Sequence, residues 1–301
     1  MGHIALLSNP YAGKGRGVHA TDAAVSHLRS QGADVRVYVG DSASATVELA
    51  VRALDEGPDV LVVVGGDGTL SAILDAVCAA SVPVALVAAG TGNDLARALG
   101  LPRHDPAAAA ELALTGAGRV IDVGEVTTGD RTARFLTIAA LGFDAKVSDR
   151  TNRLRWPHGA LRYYLALVIE LARLRPLRFT VAVDGEAPVT ALGTLVAVGN
   201  TASYGGGMPV CVGAEPDDGL LDLVQVARIG RLRLLRLFPL LLSGRHLSRP
   251  EVQRRRARTV TVSAPGLVVY ADGERLGEDE CTISVRAAAL TVMTPAEGGR
   301  S

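Results

Sequence analysis

The chain has 301 residues, 48% of them apolar, with 31 Lys plus Arg set against 31 Asp plus Glu. That is long enough for two domains with sizeable cores and too apolar for a disordered chain. A formal net charge of zero gives no global support for a nucleic-acid binder, and Cys78, Cys211 and Cys281 lack metal or redox spacing and suit small fillers in a reducing cytoplasm.

Ile4 to Ser8 reads as a strand, so no signal peptide is expected ahead of it. Leu6 stands where a myristoylation motif needs Ser or Thr. Asn9-Pro10-Tyr11-Ala12-Gly13-Lys14-Gly15-Arg16-Gly17 is a glycine-rich turn, followed by a helix over Ala23 to Leu28. Asp34 to Val39 is a second strand and Ala43 to Ala53 a helix. Val60 to Val64 is a β-branched run, hence a buried strand. It leads into Gly65-Gly66-Asp67-Gly68-Thr69-Leu70. Leu70, Ile73, Leu74 and Val77 give helical periodicity, with Thr69 expected near the cap. Val84 to Ala88 is another strand, before Gly90-Thr91-Gly92-Asn93-Asp94-Leu95-Ala96-Arg97. Glycine turns between a strand and a helix let backbone N–H groups approach a phosphate. Two in succession lie at the ligand-binding end of a parallel sheet. Neither a Walker A nor a Gly-x-Gly-x-x-Gly pattern is present.

Pro106 to Leu114 is an alanine-rich helix, and Arg119 to Val126 a strand carrying Asp122. Strand and helix alternate to this point, the signature of a parallel α/β sheet. Thereafter strands follow one another: Arg134 to Ala140, Leu177 to Val183, Leu192 to Gly199, Leu220 to Ala227, Thr259 to Ser263, Leu267 to Tyr270 and Thr282 to Val285. Hairpins of this kind predict a mostly antiparallel β-sandwich. The expected domains are 1–122, with 287–301 returning to it, and 123–286.

The pair Gly65-Gly66-Asp67-Gly68-Thr69 and Gly90-Thr91-Gly92-Asn93-Asp94-Leu95-Ala96-Arg97 resembles the diacylglycerol kinase catalytic family, which includes sphingosine and ceramide kinases. The first motif alone is shared with NAD kinases and loosely with phosphofructokinases; the likeness runs nearly end to end. It implies an ATP-dependent, Mg²⁺-assisted lipid kinase acting on a membrane lipid alcohol, foremost diacylglycerol. It also implies nucleotide contacts from Asn9, Pro10, Gly13, Gly65, Gly66, Asp67, Gly68, Thr69, Leu70, Thr91, Asn93 and Asp94. Lys14 could add a point charge, and Asp122 would join Asp67 and Asp94 in an acidic network. An NAD kinase-like enzyme and a non-catalytic nucleotide- or lipid-sensing module are the alternatives.

Asp-Gly-Glu occurs twice, at 184–186 and 272–274. Both follow β-type runs, and Asp-Gly is a strong hairpin signal, so residue chemistry alone does not separate a catalytic loop from a turn. The resemblance assigns catalysis to Asp272 and Glu274, late in the chain, and leaves Asp184-Gly185-Glu186 as a solvent-facing hairpin. It also implies a structural Mg²⁺ held by the Asp218 side chain and the carbonyls of Glu215 and Leu220. Leu141-Gly142-Phe143-Asp144-Ala145 is another matching stretch, whose Asp144 could cap a helix or line the cleft.

No apolar stretch approaches the ~18 residues of a membrane span. Arg231 to Leu242 places Leu232, Leu235, Phe238 and Leu242 on one helical stripe beside arginines, with Pro239 expected to kink it. This segment and the basic run Arg245 to Arg258 can lie on anionic lipid, or form a core-packing helix and a solvated loop. Trp156, Tyr163 and Tyr164 are either interfacial anchors or core. A cytoplasmic protein with transient peripheral membrane contact is expected, binding lipid and no nucleic acid, with a homodimer compatible.

Overall fold

The computed structural model describes residues 2–40, 42–154, 156 and 160–296. In chain order the strands and helices are β1 (Ile4–Ser8), α1 (Arg16–Ser30), β2 (Val35–Val39), α2 (Ala43–Asp55), β3 (Val60–Gly65), α3 (Asp67–Ala80), β4 (Val84–Ala88), α4 (Asp94–Ala98), α5 (Pro106–Thr115), β5 (Ala117–Thr128), β6 (Arg131–Phe135) and β7 (Ile138–Gly142). They continue as α6 (Phe143–Arg153), α7 (Ala160–Ala172), β8 (Leu177–Val183), β9 (Val189–Gly199), β10 (Leu221–Ala227), α8 (Arg231–Leu242), β11 (Val252–Ala257), β12 (Thr259–Ala271) and β13 (Glu274–Thr294). The chain divides into two compact units: residues up to Val123 with those from Ala287 onward, and Gly124–Arg286.

In the first unit β1 pairs in parallel with β2 and β3, and β3 with β4. The end of β13 adds a further parallel contact, Val292 to Val84. Every residue of β1 and β3 is buried, which requires cover on both faces. One face, with Leu6, Val62, Val64 and Val87, packs against Ala20, Ala24 and Leu28 of α1 and Ala109, Ala110 and Ala113 of α5. Small residues on those helices let them sit close to a valine-rich sheet. Each fully buried Val or Leu contributes about 1.5–3 kcal/mol, so Leu6→Ala removes a sizeable part of this core.

The second unit is antiparallel: β11, β10, β9, β7 and β12 pair in that order, and β8 bridges β9 and β12. Phe135, Phe179, Val198, Leu223, Val260, Val269 and Ile283 centre its core. α6 and α7 pack together through Phe143, Val147 and Ala166.

Several boundaries differ from the sequence reading. α3 starts at Asp67 with Gly66 as N-cap, so Thr69 lies inside the first turn and does not cap it. The strand expected over Arg134 to Ala140 breaks into β6 and β7 at Leu136-Thr137, because both amides there are taken by a side chain from β12's end (below). The two strands expected over Thr259 to Tyr270 are one, β12, with a register shift between Ser263 and Val268. Thr282 to Val285 likewise belongs to a longer strand, β13, which turns at Ala288, φ 52°, and runs on to Thr294. Part of the expected basic loop is a strand, β11. α8 runs through Pro239 without ending. Among the described residues no helix is long and apolar enough to cross a membrane.

Candidate active site

Three glycine turns of the first unit are fastened to one another. The Asn9 side chain accepts from the Tyr11 N–H, 3.1 Å, and its Nδ2 donates to Thr69 Oγ1, 3.3 Å. Arg16 donates through Nε to the Gly13 carbonyl, 3.2 Å, and through Nη2 to the Gly90 carbonyl, 2.5 Å. Gly66 and Gly90 meet backbone to backbone: a Cβ on Gly66 would lie 2.8 Å from the Gly90 Cα, and one on Gly90 2.4 Å from the Gly66 Cα. The two turns close up only because neither residue has a side chain. Asp67 completes the link, its carboxylate accepting from the amides of Asp94, 3.0 Å, and Leu95, 3.2 Å.

Gly68 is different. It is exposed in the first turn of α3, has ordinary helical backbone, and a Cβ there would meet nothing within 4 Å. Glycine inside a helix costs roughly 0.5–1 kcal/mol relative to alanine, and no contact among the described residues requires it. No side chain caps α3 at Gly66; the Thr69 and Leu70 amides turn back to the Gly66 carbonyl, 3.0 and 3.3 Å, and Gly68 lies at the positive end of the helix dipole. Nearby, Asn93 is buried with φ 51°, donates to the Gly90 carbonyl at 3.1 Å, and has an Oδ1 with no hydrogen-bond partner.

The remaining expected contacts are distributed unevenly. Pro10 is half-buried in the first turn and Thr91 exposed in the third. Gly13 sits at φ 56°, with the Ala89 carbonyl 2.0 Å from where a Cβ would be. Gly65 is buried under Thr69. Leu70 does not face solvent: its side chain is fully buried and its amide donates to the Gly66 carbonyl, so it serves packing. The Lys14 side chain lies outside the described residues. Asp94 is buried, with Arg97 Nε 3.7 Å from its carboxylate. Asp122 is buried and accepts from the Ala288 amide, 2.8 Å, where β13 turns. Arg16, the cation that ties the turns together, escaped the sequence reading; its only signal was its place at the end of a Gly-x-Gly turn.

In the second unit Asp272 stands at φ 48° and Gly273 at φ 85° in the tight turn between β12 and β13. The Asp272 carboxylate accepts from the amides of Leu136, 2.7 Å, and Thr137, 2.9 Å, and from the Thr137 hydroxyl. The carbonyls of that same dipeptide are held from the other side: Asn200 Nδ2 donates to Leu136 O, 3.1 Å, and the Asn200 amide to Thr137 O, 2.8 Å. Thr137 and Asn200 are both buried. Glu274 is exposed, and its side chain forms no hydrogen bond or ion pair among the described residues. Asp184-Gly185-Glu186 forms the exposed turn between β8 and β9.

At the expected cation loop the Asp218 carboxylate already meets protein groups. Asp218 accepts from the Leu220 amide, 2.9 Å, and its other oxygen contacts the Arg256 guanidinium. Neighbouring Asp222 is paired with Arg254, 2.5 Å; burial raises its carboxyl's pKa and Arg254 opposes the shift. The strand register places Asp222 opposite Arg256. A carboxylate and carbonyls suit Mg²⁺, but a cation at Asp218 would have to displace Arg256. Among the described residues no group of three or more His, Cys, Asp or Glu could hold a metal.

Comparison with known proteins places this architecture. Residues 3–126 match the diacylglycerol kinase catalytic domain, and residues 137–294 the YegS C-terminal NAD kinase beta sandwich-like domain. A diacylglycerol kinase of Mycobacterium tuberculosis is 42% identical over 299 residues, covering 99% of this chain and 97% of that protein. This chain belongs to the diacylglycerol kinase family. A Pseudomonas fluorescens relative, named "Probable lipid kinase YegS-like", is 34% identical over 91% of this chain and 90% of its own length. A solved diacylglycerol kinase from Bacillus anthracis shares the fold with a TM-score of 0.73 at 20% identity, covering 98% of this chain and 97% of that one. An NAD kinase from Archaeoglobus fulgidus, solved with ATP, shares it more distantly, at 0.53 and 16% identity, over 98% and 94% of the two chains.

For a lipid kinase an apolar recess in the second unit is of interest. A cavity of about 60 Å³ lies among Phe143, Tyr163, Leu195, Val226 and the inward face of α8, Leu234, Leu237, Phe238 and Leu241. Asp144, in the first turn of α6, lines it and accepts from the Tyr204 hydroxyl. Burial pushes the Asp144 carboxyl up to about 6, against the opposing effect of that hydrogen bond. The Tyr204 hydroxyl is raised as well, by burial first and by Asp144 beside it. Tyr163 is thus a cavity wall; Trp156 is exposed, and the Tyr164 side chain lies outside the described residues.

Proposed function

We propose that this lipid kinase transfers the γ-phosphoryl group of ATP to the hydroxyl of a membrane lipid alcohol, diacylglycerol first among them. The observation that carries the nucleotide half is Gly68. It is a bare position at an uncapped helix start, with no internal reason for its bareness, where phosphate oxygens would be met by backbone amides. The unpartnered Asn93 Oδ1 close to Gly66 and Gly90 is a second group in want of a ligand. Arg16 adds a cation to the same turns. Mg²⁺ bound with the nucleotide would spread charge on the transferring group.

Asp272 takes the acceptor role in this reading. Phosphoryl transfer has a loose transition state, so orienting the attacking hydroxyl counts for more than a strongly basic group. A carboxylate fixed by two amides and a hydroxyl is pre-organised for that task, and it receives the hydroxyl proton as the new P–O bond forms. Glu274, exposed two residues on, is a weaker contributor. The apolar recess behind α8 suits a hydrocarbon chain, though its present volume requires it to widen.

The test pairs Gly68→Ala with a substrate panel. Alanine should leave the melting temperature unchanged or higher, because helix propensity improves, while raising KM for ATP about tenfold or more. An unchanged KM removes the argument from Gly68. Labelled ATP offered with diacylglycerol, monoacylglycerol, a sphingoid base, a polyprenol and NAD, with mass detection of products, decides the acceptor. Label in NAD, or nucleotide binding without transfer, overturns the reading.

A further inference from the structure

A second cavity of the same unit is lined by charge. It has a volume of about 450 Å³ and lies among Lys146 of α6, Arg173 and Arg175 just past α7, and Arg231 at the start of α8. None of these four cations has an ion-pair partner among the described residues. The one carboxylate in the wall, Glu170, is buried and already bonded to Arg150. Elsewhere in this unit cations find acids, as Arg233 does with Glu251, Arg254 with Asp222 and Arg256 with Asp218. Four like charges around one recess repel each other unless an anion joins them.

The helices that end at this recess carry apolar side chains on their solvent side. Leu232 and Leu235 of α8 are 75% and 52% exposed, and Leu161 and Val168 of α7 are 67% and 61% exposed. Only Arg231 separates Leu232 from the end of the preceding loop, so the cation and the first bare leucine share a helical turn. Phe143 lines this recess and the apolar cavity alike.

We propose that this basic recess seats the phosphoryl headgroup of an anionic bilayer phospholipid, with Leu232 and Leu235 lying among the acyl chains beside it. Charge complementarity selects the headgroup, and the leucines select a membrane. A soluble phosphate ester would use the four cations and leave the exposed apolar stripe without purpose. The site is built from other residues than the turns assigned to the nucleotide and requires no turnover. It makes α8 the element that brings the protein to its membrane.

Vesicle sedimentation with the full chain tests this directly, using phosphatidylcholine alone and phosphatidylcholine with about one-fifth phosphatidylglycerol. Wild type should bind the anionic vesicles several hundred-fold more tightly, from about 1 kcal/mol for each of the four cations, and about 1 M NaCl, where screening acts within about 3 Å, should abolish the difference. The double variant Arg173→Gln/Arg231→Gln should bind them about 25-fold more weakly, from roughly fivefold per charge. Arg131→Gln, which removes one charge at the exposed start of β6, should bind as wild type. Leu232→Ser/Leu235→Ser should weaken binding to both vesicle types. Far-UV circular dichroism and melting temperature establish that each variant is folded; should the double variant be unfolded, Arg175→Gln alone carries the fivefold test. Equal binding to neutral and anionic vesicles overturns the proposal, as does wild-type binding by a folded charge variant. Thermal protection by inorganic phosphate, lost in the double variant and without anionic vesicle binding, would reassign the recess to a soluble phosphate.

Discussion

The two Asp-Gly-Glu turns are the same three residues in the same backbone conformation. Asp184 and Asp272 both stand at φ 48°, with Gly185 at 79° and Gly273 at 85°. Each aspartate accepts from two successive amides of a strand end: Arg258 and Thr259, at 2.9 and 2.8 Å, for Asp184, and Leu136 and Thr137 for Asp272. Two details separate them. Asp184 takes both amides on Oδ1, whereas Asp272 uses both oxygens and a hydroxyl besides. Glu186 is paired with Arg255 at 2.7 Å, whereas Glu274 is unpaired among the described residues. Sequence and turn type therefore do not make a catalytic hairpin; the depth and number of donors around the aspartate, and a spare glutamate, distinguish the candidate.

The sharpest way to break this contrast is to change both aspartates alike. Asp272→Asn should reduce turnover by about 100-fold or more, the usual scale for a proton-accepting group. It should also cost about 1–3 kcal/mol of stability, since one oxygen facing an amide becomes an NH₂. Asp184→Asn keeps the oxygen that does the work and should leave turnover within about twofold. Kinetics corrected for the folded fraction, measured by urea unfolding, check the pair. A folded Asp272→Asn enzyme with near-wild-type turnover would show that Asp272 is a structural pin like its twin.

The glutamates give the next, smaller difference. Glu274→Gln should lower kcat about tenfold with an unchanged unfolding midpoint, and Glu186→Gln should alter neither, because exposed ion pairs contribute little. Equal effects on kcat would erase the distinction drawn between the hairpins. Thr137→Val comes third. It removes the hydroxyl donor that only Asp272 enjoys while keeping the β-branched shape. A loss of about 1 kcal/mol and a few-fold fall in kcat are expected, and a stability loss without any fall in kcat would detach the hydroxyl from function.

The parts of this molecule that could be read from its sequence are those in which neighbours in sequence decide the outcome. Val60 to Val64 before Gly65, and Val84 to Ala88 before Gly90, announce buried strands and bare turns. What stayed hidden depends on residues far apart. The strand break at Leu136-Thr137 exists because Asp272, more than 130 residues later, claims its amides. Arg254, Arg255 and Arg256 look like a solvated run, yet they lie in β11, paired along β10, with Asp222, Glu186 and Asp218 meeting their side chains. Arg16 reads as a loop cation until Gly90 is known to lie beside it. Leu70 belongs to the motif by spelling and to the core by geometry.

Asp144 turns the hairpin comparison round, and it gives the smallest effect. Asp184 and Asp272 are fixed in place by backbone amides; Asp144 is instead placed beside an apolar cavity with a tyrosine hydroxyl. Burial raises its pKa from 3.8 to about 6, so the folded protein holds that proton more tightly than the unfolded chain does. The resulting stabilisation is fully present below about pH 4 and is lost as pH rises through about 6, up to about 2–3 kcal/mol in total. Asp144→Asn stays neutral throughout. Urea midpoints of wild type and variant should therefore converge near pH 4 and separate above pH 6, with the variant the more stable. Parallel profiles across that range would mean the carboxyl is solvated in the native protein, and that the polar end of the cavity is wet.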